Sequence, residues 1–138
     1  MLQTLHWEPK DTSEELHSIL ETLGKNYPLN STDSTDAIRL AFDKQNGSKA
    51  LVIRKTNDVA EIHYSAPNHA ARAIGALLAG LPESGDELSE EDNFDVLGIM
   101  LDCSRNAVMS VQHFKKWLRN LALLGFNTAM LYTEDTYV

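Results

Sequence analysis

The feature that most constrains this chain lies near its C-terminus, where two apolar runs flank one amphipathic segment. Val96-Leu97-Gly98-Ile99-Met100-Leu101 is continuously apolar, a pattern suited to a parallel strand covered on both faces. Ser110 stands at an N-cap position ahead of Phe114, Trp117, Leu118, Leu121 and Leu124, which recur at helical spacing until Gly125 ends the pattern. Phe126 to Tyr132 form the second apolar run. Strand, helix, strand in this order predicts a βαβ unit with a right-handed crossover. One such unit cannot cover its own faces, and a two-stranded sheet is marginal alone. A closed eightfold barrel typically takes ~250 residues, whereas the sequence has 138. The expectation over residues 96–138 is therefore the opening of an incomplete (β/α)8 barrel, with further barrel sequence to follow.

Residues 1–82 follow a different pattern, that of a small α+β domain. Leu16, Ile19, Leu20 and Leu23 share one helix face; Thr12 and Glu15 have capping-box spacing, and Gly24 suits a left-handed C-terminal residue. Ile38, Leu40 and Phe42 alternate with Arg39, Ala41 and Asp43 as in a half-buried strand. Asn46-Gly47 predicts a tight hairpin turn into a return strand over Leu51–Lys55, and Thr56-Asn57-Asp58 turns the chain again into Val59–Tyr64. Ser65 and Pro67 mark the start of a second helix, with Ala70, Ala71, Ile74, Leu77 and Leu78 inward and Gly80 and Pro82 as its stop. These elements predict a three-stranded antiparallel meander covered by two helices. Between the two parts, residues 83–95 hold seven acidic side chains and no Lys or Arg. Like charges without local partners favour an extended, solvated path, so this stretch reads as an acidic linker.

Charge and residue inventory remove several function classes. Twenty acidic against twelve basic side chains give a net charge of −8, which argues against nucleic acid as a partner. One cysteine, Cys103, excludes an intrachain disulfide and a thiolate zinc site, and reads as a small buried hydrophobe. His6, His17, His63, His69 and His113 lack the spacing of a zinc-binding helix, so no metal is expected. No glycine-rich phosphate loop follows a strand, so no cofactor is expected either, and Ser104 and Ser110 lack the context of a nucleophile elbow. The N-terminus shows no signal-peptide pattern and no apolar run reaches a membrane span, so the chain is expected to be cytoplasmic and not membrane-bound. Trp117 lies on the apolar helix face and reads as core; the pattern around Trp7 leaves its role open.

Both apolar strands end in polar residues. Asp102-Cys103-Ser104-Arg105-Asn106 follow the first, and Thr133-Glu134-Asp135 the second. In α/β barrels the C-terminal strand ends form the active-site face. Asp102, Arg105, Glu134 and Asp135 are therefore candidates for binding a hydroxyl-rich substrate. A bland alternative stands beside this: Asp102 and Arg105, three apart, can simply pair with each other and with backbone groups.

The motif from Leu97 to Arg105, with Leu121 to Asn127 and Leu131 to Asp135, resembles the barrel opening of family 20 glycoside hydrolases, which are exo-acting β-N-acetylhexosaminidases. Gly98, Asp102, Arg105, Asn127 and Asp135 match that family's pattern, and the segment from Ile62 through the helix of residues 67–80 resembles the end of its preceding small domain. Leu97 stands where the family has a leading Arg that holds sugar hydroxyls, and Glu134 where a Thr or similar small residue is usual. The resemblance implies a retaining hydrolase in which a carboxylic acid protonates the leaving oxygen and the substrate's acetamido oxygen attacks the anomeric carbon. It also implies that the acid, the Glu of an Asp-Glu pair, comes from a later barrel strand, so these 138 residues are expected to be inactive alone. Asp86-Glu87 reads as solvated charge. A carbohydrate is then the expected partner, and self-association through residues 96–138 a consequence of their apolar surface. The rival reading is a stand-alone, non-catalytic binding or interaction module.

Overall fold

The computed structural model describes residues 3–32, 36–104 and 108–134. Six strands form a mixed sheet: β1 (Leu5–Trp7), β2 (Leu29–Asn30), β3 (Ile38–Lys44), β4 (Ala50–Lys55), β5 (Val59–Tyr64) and β6 (Glu87–Glu91). Their order is β2-β1-β3-β5-β4-β6. Helices α1 (Glu14–Gly24) and α2 (Pro67–Leu78) supply Leu16, Leu20, Leu23, Ala70, Ile74 and Leu77 to a core shared with Leu40, Ile53, Ile62 and Tyr64 of the sheet. Alternation within each strand accounts for this: in β5, Ala60, Ile62 and Tyr64 are buried, whereas Glu61 is exposed. Trp7, undecided by its sequence context, is buried and packs against the His17 ring at 5.2 Å.

The expected three-stranded meander is not the observed connectivity. β4 and β5 form the predicted antiparallel hairpin, but β5 then inserts between β4 and β3 and runs parallel to β3. The Asn46-Gly47 turn, with Gly47 at a φ of 77°, joins two strands that are not neighbours. The link over residues 45–49 crosses two strand spacings, about 10 Å, within reach of a short link extending about 3.3 Å per residue. Period-two alternation assigns a strand's faces; it carries no information about which strand lies beside it.

Residues 83–95 are also corrected. Residues 87–91 form β6, an edge strand antiparallel to β4, with Leu88 packed on the core. Cations distant in sequence pair with its acids: Arg54 with Glu87 at 2.6 Å, Arg72 with Glu90 at 2.6 Å, and Lys49 with Asp95 at 2.8 Å. The repulsion expected within the stretch is thus offset from outside it.

Two helix-end expectations change as well. Ser13, the α1 N-cap residue, makes no side-chain capping bond, and Glu15 instead accepts hydrogen bonds from Lys44 and Tyr64. Gly24 lies inside α1, and a Cβ there would come within 2.6 Å of the Leu29 carbonyl oxygen, so its smallness serves close packing.

The C-terminal part has the predicted order: β7 (Gly98–Asp102), α3 (Val111–Leu123) and β8 (Thr128–Tyr132), with β7 and β8 parallel. The Ser110 hydroxyl accepts the His113 amide as the cap of α3, and Gly125 has a φ of 89°. β7 is not covered on both faces: Met100 is 65% exposed and Met130 of β8 54%. α3 packs on α2 through the flank carrying Ala122 and Leu123, which join the core. Its apolar stripe is only part-covered, so Trp117, expected in the core, is 39% exposed, and Cys103 is half-buried. Docking on α2 gives the Ala122–Leu123 flank of α3 cover within its own chain. Among the described residues no helix is long and apolar enough to cross a membrane.

Candidate functional site

Parallel pairing brings the two polar strand ends together. Asp102 lies in register with Tyr132, and the Cys103 amide donates to the Tyr132 carbonyl at 2.7 Å, so the two chains leave the sheet side by side. The Asp102 carboxylate turns back on its own loop, accepting the Ser104 amide at 2.8 Å and the Ser104 hydroxyl through the same oxygen. Glu134, two residues past β8, is exposed like Asp102. Arg105 and Asp135, and with Arg105 the expected Asp102–Arg105 pair, lie outside the described residues. Beside this edge is an apolar cavity of about 260 Å³, lined by Leu101, Cys103, Val108, Phe114 and Leu131 with Asp102 at its wall. Carboxylates next to an apolar hollow can accept sugar hydroxyls while a carbon face lies against the aliphatic side chains.

The opposite, N-terminal edge of the pair is held by Asn127. Its Oδ1 accepts the Leu97 amide at 3.0 Å and its Nδ2 donates to the Asp95 carbonyl at 3.0 Å. One side chain thereby ties the segment entering β7 to the start of β8. A second set of contacts ties α2 to β6. The Arg72 guanidinium donates twice to Glu90, at 2.9 and 2.6 Å, and buried His69 meets Asp92 at 2.7 Å through Nε2 and Ser65 Oγ at 3.2 Å through Nδ1. None of these four was singled out from the sequence. Their spacing holds a signal, since His69 and Arg72 are three apart on a helix and Glu90 and Asp92 two apart at a strand, so each pair shares a face.

No protein-family model matches the sequence, and no curated protein matches it. Solved structures do match the fold. A β-N-acetylhexosaminidase of glycoside hydrolase family 20 from Streptomyces coelicolor aligns over 94% of this chain, with a TM-score of 0.65 and 18% identity. The chain shares the fold of family 20 hexosaminidases. A mutant β-hexosaminidase from Streptomyces plicatus in complex with the product GlcNAc aligns over 96% (TM-score 0.62, 16% identity). So does a family 20 exo-β-N-acetylglucosaminidase from Vibrio harveyi with N-acetylglucosamine, over 94% (TM-score 0.62, 19% identity). The match covers 30%, 30% and 22% of those chains respectively, so this sequence spans less than a third of each. With nearly all of this chain aligned, the hexosaminidase fold accounts for the six-stranded domain and for the βαβ unit after it.

Proposed function

We propose that this chain is the N-terminal part of a retaining exo-β-N-acetylhexosaminidase that releases terminal N-acetylhexosamine. One observation carries the reading: in a fold shared with such enzymes, a parallel strand pair presents Asp102 and Glu134 at its C-terminal ends, where barrel enzymes keep their sites. In this reading residues 96–138 open the catalytic barrel. Asp102, Arg105, Glu134 and Asp135 then accept or donate hydrogen bonds to substrate hydroxyls. A carboxylic acid from a later strand protonates the departing oxygen, and the substrate's acetamido oxygen closes on the anomeric carbon.

The test uses the complete reading frame that carries these residues, assayed on a chromogenic N-acetylglucosaminide. Turnover with retention of anomeric configuration is expected, and the 138-residue chain alone is expected to match a protein-free blank. Turnover by the short chain, or none by the complete frame, would overturn the proposal.

A further inference from the structure

A second cleft, of about 270 Å³, lies where the six-stranded domain meets the βαβ unit. Asn68, His69 and Arg72 of α2 form one wall, Asp92, Asn93 and Phe94 after β6 another, and the α3–β8 connection closes the third. Leu97, at the entry to β7, also lines it, so the cleft opens at the end of the strand pair opposite Asp102.

The lining chemistry narrows the ligand class. An anion is disfavoured because Glu90, Glu91 and Asp92 surround the space, while the cationic Arg72 is already engaged by Glu90. A metal ion is disfavoured because Arg72 engages Glu90 and His69 engages Asp92, which leaves Glu91 as the one carboxylate of the lining without such a partner among the described residues. Besides the Glu91 carboxylate, what is left unspent is neutral and polar: the amides of Asn68 and Asn93 carry no side-chain partner among the described residues. An amide offers two donors and an acceptor, matching hydroxyls that both donate and accept. Beside them Phe94 is 68% exposed, an aromatic face with nothing packed over it. Flat apolar surface next to two amides lining the same cleft suits a ring with one carbon face and a rim of hydroxyls. The volume is just below the roughly 300–1,000 Å³ of drug-sized sites, enough for one ring.

We propose that this cleft is a saccharide-binding site separate from the strand ends, taking a single neutral hydroxylated ring. Phe94 stacks on the ring face, and Asn68 and Asn93 hold its hydroxyls. The site holds or fails independently of hydrolysis, because none of its residues belongs to the strand-end group.

The experiment is an amide NMR titration of the 138-residue chain with N-acetylglucosamine, with inorganic phosphate as control. Saturable shifts are expected at Asn68, Asn93, Phe94 and Gly125, with none from phosphate. Phe94→Ala, which alters an exposed side chain and leaves the core intact, is expected to weaken binding roughly threefold to tenfold, and Asn68→Ala to weaken it as well. Shifts confined to residues 102–104 and 133–134, equal shifts from phosphate, no saturable shift, or variants that titrate like the parent would each overturn the proposal.

Discussion

Gly75 of α2 lies directly against the backbone of Leu123 in α3, so close that a methyl group on Gly75 would overlap the Leu123 carbonyl. This is the tightest approach at any glycine, and it joins the six-stranded domain to the βαβ unit. Gly75→Ala must therefore push α3 outward, an overpacking change that costs about 1–3 kcal/mol. The urea midpoint should fall, with faster hydrogen exchange over α3 and β8 than over β3 and β5. An unchanged midpoint and unchanged exchange would show that the helices adjust without cost.

The Arg72–Glu90 pair is part-buried and bidentate, conditions under which an ion pair contributes more than a surface contact. Arg72→Met leaves Glu90 without its partner and should cost roughly 1.5–3 kcal/mol. Removing both charges, with Glu90→Gln added, should recover part of that loss. Additive effects in the double-mutant cycle would mean that the pair contributes nothing as a pair.

Glu15 links the pH dependence of stability to the core. Hydrogen bonds from Lys44 and then from Tyr64 hold its carboxyl below the usual glutamate range. A depressed folded-state pKa adds stability that is present above the unfolded value of about 4.3 and is lost as pH falls through the lowered one. Because the Lys44 contact is solvent-accessible, the contribution is at most about 1 kcal/mol and is reduced by salt. Burial, and then the Glu15 carboxylate, raise the Tyr64 phenol, so its contribution is lost in the opposite direction, as pH rises through that raised value. Glu15→Gln should lower stability at neutral pH and flatten the acid limb of the stability curve. An acid limb identical to the parent's would exclude Glu15 as its source.

Asn127 is predicted to act as a local fastener. Asn127→Ala removes two side-chain hydrogen bonds to the segment before β7, each worth about 0.5–1.5 kcal/mol. The amide of Leu97 should then exchange faster with solvent. Asn127→Asp keeps the acceptor for Leu97 and should preserve that protection while losing the bond to Asp95. Equal exchange at Leu97 in parent and alanine variant would refute the role.

The last prediction concerns the strand ends in the complete reading frame. Arg105→Ala and Asp135→Asn should each lower kcat/KM by about one to two decades, the equivalent of a charge-assisted hydrogen bond of roughly 1.5–3 kcal/mol. The thermal midpoint should stay near the parent's. Parental kinetics in both variants would remove these residues from substrate binding.

Local patterns settle much of what this chain is. Alternation at Ile38, Leu40 and Phe42 and at Ala60, Ile62 and Tyr64 identifies strands and the face each turns to the helices. Ser110 and Gly125 bound α3, and two apolar runs give the parallel pair that brings Asp102 beside Tyr132. These features rest on interactions within a few residues, so a linear pattern records them. Tertiary structure alone placed β5 between β3 and β4, because alternation names a face and no neighbour. It also turned the acidic stretch into β6, since the cations at Arg54, Arg72 and Lys49 that offset its charge lie far off in sequence. The Asn68–Phe94 cleft belongs to the same class: its walls come from α2, the segment after β6 and the α3–β8 connection, which meet only once Gly75 lets α3 close on α2.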